Sequence, residues 1–359
     1  MERDDRAGER EPAARPRRRG PTRRQLLTTL GAAGLTIAGA GAARALGLGQ
    51  PAARHTPHPA LARATDTPPL PTATADLRPA SVVVTGDVML ARTVNQQMLA
   101  SHDQFPFNFT GDFLKGFDLT VGNLECVVST LGTPIPGKPF TFEADPLGFQ
   151  RLAAAGYDIV SVANNHSGDY GKGAFMDMLA HLPTWGLTPV GGGANRQQAH
   201  QPVYRYVHST MLGFLAYCEI EPPDFAATDT MPGHAWLTTD ALRADIAATR
   251  PNCDFLVTFM HWGYEGILVE NADQQYLARA AIDAGADLVV GCHPHVIQPY
   301  ELYNGKLIVY SLGNFVFDYM TSPNFSSCNV LTFHVLGSRL VDWKLVHATI
   351  GDWGQPAWG

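Results

Sequence analysis

The feature that most constrains this chain is a repeat of one local pattern: a short apolar run rich in β-branched residues, broken by a polar cluster. Ser81-Val82-Val83-Val84-Thr85-Gly86 ends at Asp87, Phe117 to Gly122 ends at Asn123 and Glu125, and Tyr157 to Ala163 ends at Asn164-Asn165-His166. Asp254 to Met260 leads into His261-Trp262-Gly263, Ala286 to Gly291 into Cys292-His293-Pro294-His295, and Lys306 to Ser311 follows the same rule. Runs of this length read as strands. Between them, Pro146 to Ala155 reads as a helix capped by Asp145, and Asn271 to Ala284 as a second, well-patterned helix. Pro202 to Val207 and Met211 to Tyr217 flank His208-Ser209-Thr210 and predict a hairpin, while Asn329 to Leu336 and Leu340 to Thr349 are β-like. Strands alternating with helices predict an α/β fold with partly parallel sheets covered on their faces. Function in such folds collects where strands end in loops.

The chain ahead of Ser81 has another character. Arg23-Arg24 precedes an uncharged stretch from Gln25 to Ala43 of mostly Ala, Gly, Leu and Thr, and Ala43-Arg44-Ala45 offers a small-x-small cleavage site. Residues 1–45 are thus expected to be a twin-arginine export signal, with an uncleaved anchor or a disordered basic tail as the alternatives. Residues 46–80, rich in Pro, Ala and Thr, read as an extended linker. The folded domain is expected over 81–350. Of the 26 Lys+Arg and 33 Asp+Glu, ten and five lie in the first 45 residues, leaving 16 and 28 behind them, a formal −12. So acidic a body excludes nucleic acid as a partner and makes wide contact with a polyanion unfavourable. The five cysteines, at 126, 218, 253, 292 and 328, show no paired spacing and read as buried small hydrophobes.

Each polar cluster has a functional and a structural reading. Asp87 is a hard-metal ligand or the N-cap of a helix over Val88 to Leu99. Asn123 and Glu125, two residues apart in extended backbone, share a face and point to a site or to a solvated turn. In Asn165-His166 the amide oxygen can ligate a metal while the imidazole serves as acid or base. His261 alone reads as structural and gains weight from its company. His293 and His295, at i and i+2 around a proline that stiffens the loop, can converge on one or two ions. Together these strand ends offer a mixed nitrogen and oxygen donor set suited to one or two divalent ions: Mn, Zn, Fe or Mg.

The ordered motifs Gly86-Asp87-Val88-Met89-Leu90, Gly122-Asn123-Leu124-Glu125, Lys138-Pro139-Phe140-Thr141-Phe142, Ala163-Asn164-Asn165-His166, His261-Trp262-Gly263, Gly291 to Val296 and Tyr310 to Phe315 resemble the poly-γ-glutamate capsule-synthesis (CapA-type) family. That family is of the metallophosphoesterase-like, calcineurin type. The resemblance covers roughly residues 81 to 320 and implies a four-layer α/β/β/α sandwich with metals at the strand ends. By position it implies that Asp87, Asn165, His261, His293 and His295 are ligands, that Glu125 compensates for an absent bridging aspartate, and that His166 is the catalytic acid. Asn123, Asn164, Lys138, Trp262, Glu265 and Asn314 are the candidate neighbours of that site. Met89 stands where the pattern has a histidine, Asn123 where it has the bridging aspartate, and Cys292 is interposed after Gly291. These departures point to a single-metal or asymmetric two-metal centre. The expected function is an exported metal-dependent hydrolase or transferase of the cell envelope, acting in poly-γ-glutamate capsule synthesis, export or attachment. Its partners would be an envelope polymer or a small anionic substrate, and a membrane-bound polymer synthase. The alternatives are a non-catalytic subunit assisting that synthase and a binding module for polymer ends.

Overall fold

A computed structural model describes residues 76–220, 223–318 and 322–359; the expected export signal and nearly all of the expected linker lie outside these residues. Strand β1 (Ala80–Val88) opens the fold, followed by α1 (Arg92–Ala100), β2 (Leu119–Leu124), α2 (Leu147–Ala155), β3 (Ile159–Ser161), α3 (Gly171–His181) and β4 (Thr188–Val190). The second half runs β5 (Val203–Val207), β6 (Thr210–Cys218), α4 (Thr239–Thr249), β7 (Phe255–His261), α5 (Ala272–Ala284), β8 (Leu288–Cys292), β9 (Tyr300–Tyr303) and β10 (Lys306–Val309). Last come β11 (Asn314–Val316), β12 (Ser327–Leu336), β13 (Arg339–Ile350) and β14 (Pro356–Trp358).

Two sheets carry the fold. The first has the order β14-β13-β12-β1-β2-β3-β4, with β11 also on β1. It is parallel from β1 to β4 and antiparallel from β1 through β12 and β13 to β14. The second has the order β9-β10-β8-β7-β6-β5, parallel through its centre and antiparallel at both edges. Period-two side-chain alternation sets the layers. Val82 and Val84 face Phe255, Val257 and Phe259 between the sheets, whereas Val83 faces the side of α1, α2 and α3. On the far side, Leu256 and Met260 pack against Leu242 and Ile246 of α4 and Leu277 and Ala281 of α5. Three apolar seams between two sheets and two helical layers make this the expected α/β/β/α sandwich.

The local signals resolve individually. Asn271 and Gln274 form a reciprocal capping box at α5. Asp145 lies one position ahead of the helix boundary, yet its carboxylate accepts the Leu147 N–H at 2.8 Å. The hairpin turns at His208 and Ser209, with Val207 opposite Thr210. One alternative is overturned. Asp87 caps no helix, because β1 continues through it to Val88 and the helix starts at Arg92 behind Ala91. The tail beyond residue 350, without a reading from sequence, adds β14 to the edge of the first sheet and sets Trp358 4.4 Å from Phe113, ring centre to ring centre. All five cysteines are unpaired, and four are buried.

Two glycines let the backbone close around the strand ends. A Cβ on Gly86 would meet the Gly313 carbonyl oxygen at 1.9 Å, and one on Gly291 would meet the Tyr310 oxygen at the same distance. Gly173, exposed inside α3, has nothing within 4 Å of the equivalent position. Gly86→Ala is therefore expected to cost about 3 kcal/mol or more, and Gly173→Ala to gain roughly 0.5–1 kcal/mol. Urea unfolding followed by circular dichroism checks the pair; equal midpoints would contradict the close approach.

Candidate metal centre

The carboxyl ends of β1, β2, β7 and β8 meet at one place. Asp87 and Glu125 are fully buried there, and His261, His293 and His295 are at most 7% exposed. These residues form two overlapping sets of ligand atoms, each within 4.8 Å: Glu125, His261 and His293 in one, and Asp87, Glu125 and His295 in the other. Glu125 belongs to both. Its Oε1 lies 3.8 Å from His261 Nε2 and 3.7 Å from His295 Nε2 and accepts no hydrogen bond. His293 Nδ1 is likewise buried without a partner.

A buried carboxylate oxygen and a buried imidazole nitrogen left unpaired each carry a desolvation cost that a shared cation would remove. The donor set, with hard carboxylates and imidazoles and no thiolate, fits a divalent ion of the Mn, Zn, Fe or Mg kind. The Cys292 thiol, close by and buried, is pushed well above its usual range by burial and by the Asp87 and Glu125 carboxylates, so it is no thiolate donor.

The surrounding polar groups orient these ligands. Asn123 donates to Asp87 Oδ1 at 2.8 Å and sits 3.3 Å from His261 Nδ1, so the amide on β2 stands between a ligand of β1 and a ligand of β7 in the other sheet. Asn164 ties Asn123 Oδ1 (3.0 Å) and the Leu124 carbonyl (2.8 Å) to the third strand end. Asn165 Oδ1 lies 2.8 Å from His261 Nε2, within reach of the first set. The Asn314 oxygen is 2.9 Å from His295 Nδ1. His293 (φ 93°) and His295 (φ 58°) both adopt left-handed backbone around Pro294, a conformation costing of order 1–3 kcal/mol each.

His166 stands beside the ligands without joining either set. Its Nδ1 is 2.7 Å from Asp169 Oδ2, and its ring stacks on Phe142 with centroids 3.9 Å apart. Lys138 holds the other Asp169 oxygen and the Asn165 carbonyl, which puts this lysine in a supporting role behind the histidine. His166 and His295 line a cleft of ≈ 580 Å³ together with Arg92, Phe142, Glu265 and Phe317. Arg92, paired with Asp318, lies over Phe142 at 4.6 Å. A second cleft of ≈ 540 Å³ reaches His293 past Glu219, Glu265 and Asp273.

One placement differs from what the motifs suggest, and one departure from the family pattern is explained. Trp262 points away from the site: its indole is buried among the helix-side apolar residues and donates to the Tyr310 carbonyl at 2.9 Å. Met89 is fully buried, and its sulfur accepts the Ala91 N–H at 3.1 Å, so the thioether supplies no donor to the site. Sequence reasoning passed over Asp169, Phe142 and Arg92. Asp169 sits three residues after His166 in Asn-His-Ser-Gly-Asp, and that spacing was the available signal.

Burial sets the charge states. It drives His261 well below the ordinary histidine range, aided by the other imidazoles, lowers His293 to about 3, and lowers His166 against the pull of Asp169. Glu125 is pushed well above the usual carboxylate range by burial and then by Asp87. Burial raises Asp87 too, but His295, Asn123 and the His293 N–H outweigh it and leave Asp87 lowered. His295 is raised, since Asp87 outweighs its burial. In metal-free protein, the unfolded chain protonates its imidazoles near pH 6.5 while folded His261, His293 and His166 resist. The stability these three contribute is present above that pH and lost below it; Glu125 and His295 act in the opposite sense. The melting temperature of chelator-treated protein is expected to fall between pH 6.5 and pH 5, with three imidazoles outweighing the opposing pair. His261→Gln/His293→Gln should flatten that fall. A parent profile that rises on acidification would contradict the charge assignment.

A family model described as bacterial capsule synthesis protein PGA_cap matches residues 81–319. Over 255 residues the chain is 32% identical to the PGA biosynthesis protein CapA of Bacillus subtilis (strain 168), covering 70% of this chain and 67% of that protein. Over 250 residues it is 29% identical to a Mycobacterium tuberculosis (strain CDC 1551 / Oshkosh) protein named "Probable polyglutamine synthesis accessory protein", covering 66% of each. The chain thus spans about two thirds of the length of these relatives. A phosphatase structure from Mycoplasma pneumoniae is similar over 76% of this chain and 94% of that one, with 11% identity and a TM-score of 0.48. By the family match over residues 81–319 and the identity to CapA, this chain belongs to the PGA_cap family of bacterial capsule synthesis proteins.

Proposed function

We propose that this protein is a metal-dependent hydrolase or transferase of the cell envelope, exported through its twin-arginine segment, that acts on poly-γ-glutamate or a small anionic relative. The observation carrying the proposal is Glu125: a fully buried carboxylate common to both ligand sets, with one oxygen unpaired. A divalent ion held there supplies Lewis-acid polarisation of an amide carbonyl or phosphoryl oxygen. Asp87, Glu125, His261, His293 and His295, in two sets that share Glu125, would hold one or two such ions, joined by Asn165. His166 is the proton donor to the leaving group. Asp169 fixes its Nδ1, so Nε2 remains to face the cleft that His166 lines. The phenylalanines of the cleft form an apolar wall beside the Arg92–Asp318 pair. The family and the B. subtilis relative's printed name support a place in capsule polymer synthesis; a membrane-bound synthase as its partner is part of the proposal.

A second reading is a non-catalytic subunit that assists the synthase. The M. tuberculosis relative's printed name favours it, as does the loss of a ligand at Met89. The two readings part on His166→Ala in Mn- or Zn-loaded protein, assayed on a γ-glutamyl amide and on a phosphoester. Catalysis predicts a kcat loss of about 100-fold or more at unchanged metal content. If the loaded parent turns over neither bond, the subunit reading stands and the hydrolase reading falls.

A further inference from the structure

Beyond the two buried sets, a third carboxylate reaches the histidines. A Glu265 oxygen lies within 4.8 Å of one ring nitrogen of His293 and one of His295. His293 belongs to the set with Glu125 and His261, and His295 to the set with Asp87 and Glu125. A group reaching one histidine of each set lies between the two positions. Glu125 occupies that relation from inside the protein, fully buried. Glu265 occupies it from outside: it is exposed, and it lines both the cleft that holds His166 and His295 and the one that reaches His293.

The backbone puts it there for local reasons. Gly263 (φ 81°) and Gly266 (φ 73°) bracket Tyr264-Glu265 and turn the chain after β7. The Gly266 N–H donates to the Pro294 carbonyl at 2.8 Å, tying this loop to the His-Pro-His loop, and the Gly263 N–H donates to Glu219 Oε1 at 3.3 Å. The loop therefore delivers a carboxylate to a place where His293 Nδ1 is buried and unpaired.

We propose that Glu265 is a second bridging carboxylate, closing the two metal positions from the solvent side opposite Glu125. The inference rests on the metal centre described above. It replaces donor capacity that the chain lacks at Met89 and Asn123, where one side chain turns into the core and the other braces Asp87. Buried ligands stay in place, whereas an exposed carboxylate on a glycine-flanked loop can release an ion to admit a substrate oxygen. Glu265 is thus the exchangeable member of the set.

The test strips parent, Glu265→Gln and Asp273→Asn with chelator and titrates each with Mn2+ by calorimetry, following spin coupling by electron paramagnetic resonance. Asp273→Asn removes an equal charge from the same cleft without touching a ligand set. The parent and Asp273→Asn are expected to take two equivalents and show a coupled pair. Glu265→Gln should keep the first equivalent and weaken the second by at least about tenfold, with loss of the coupled signal and an unchanged melting point in chelator. A second equivalent as tight in Glu265→Gln as in the parent, an equal loss in Asp273→Asn, or a single equivalent in the parent would overturn the bridge while leaving a metal centre. No uptake by the folded parent would overturn the metal centre itself, and the bridge with it.

Discussion

Asp87 and Glu125 lie side by side with no access to solvent, and two carboxylates cannot both ionise there without compensation. Hydrogen bonds from Asn123 and from the His293 N–H and the charge of His295 hold Asp87 below the usual carboxylate range, while burial and then Asp87 push Glu125 well above it. That leaves Glu125 Oε1 and His293 Nδ1 unpaired beside each other's ligand sets. Around this deficit the rest of the site is arranged: amides brace the carboxylates, and each imidazole presents a nitrogen to the same small volume. A cation resolves the deficit at once, since it offsets the paired carboxylate charge and gives the unpaired oxygen and nitrogen a partner.

The fold supplies the rigidity this needs. Parallel strands from both sheets end at one edge, so ligands from β1, β2, β7 and β8 converge without long loops. Gly86 and Gly291 let neighbouring backbone approach closer than any side chain would permit, and Pro294 holds two histidines in backbone they would not choose alone. The strain at His293 and His295 persists because the surrounding packing determines it. The softer parts lie outside: an aromatic cleft on one side, an acidic one on the other, and an exposed loop between them.

Much of this was legible in the sequence because apolar runs ending in polar clusters report strand ends directly. Asp87, Glu125, His261, His293 and His295 come together from four separate segments, as the joint pattern suggested, and the Asn271 cap reports its helix. What was not legible depended on tertiary position. Whether Asp87 ends a strand or begins a helix turns on the pairing of β1 with β2 and β11, which no local propensity encodes. Trp262 follows a ligand in sequence but alternates to the opposite face, into the helix-side core. Asp169 acts through His166, and a supporting residue leaves no periodic trace. The final strand, three residues at a sheet edge after a turn at Gly351 to Gln355, was too short to read.

The central claim is that Glu125 is the ligand common to two metal positions. Metal content per chain, measured on parent and Glu125→Gln protein purified without chelator and supplied with Mn or Zn, tests it most directly. Two ions in the parent and fewer than one in a folded Glu125→Gln variant is the predicted result. A folded parent without metal, or a variant that holds as many ions as the parent, would contradict it.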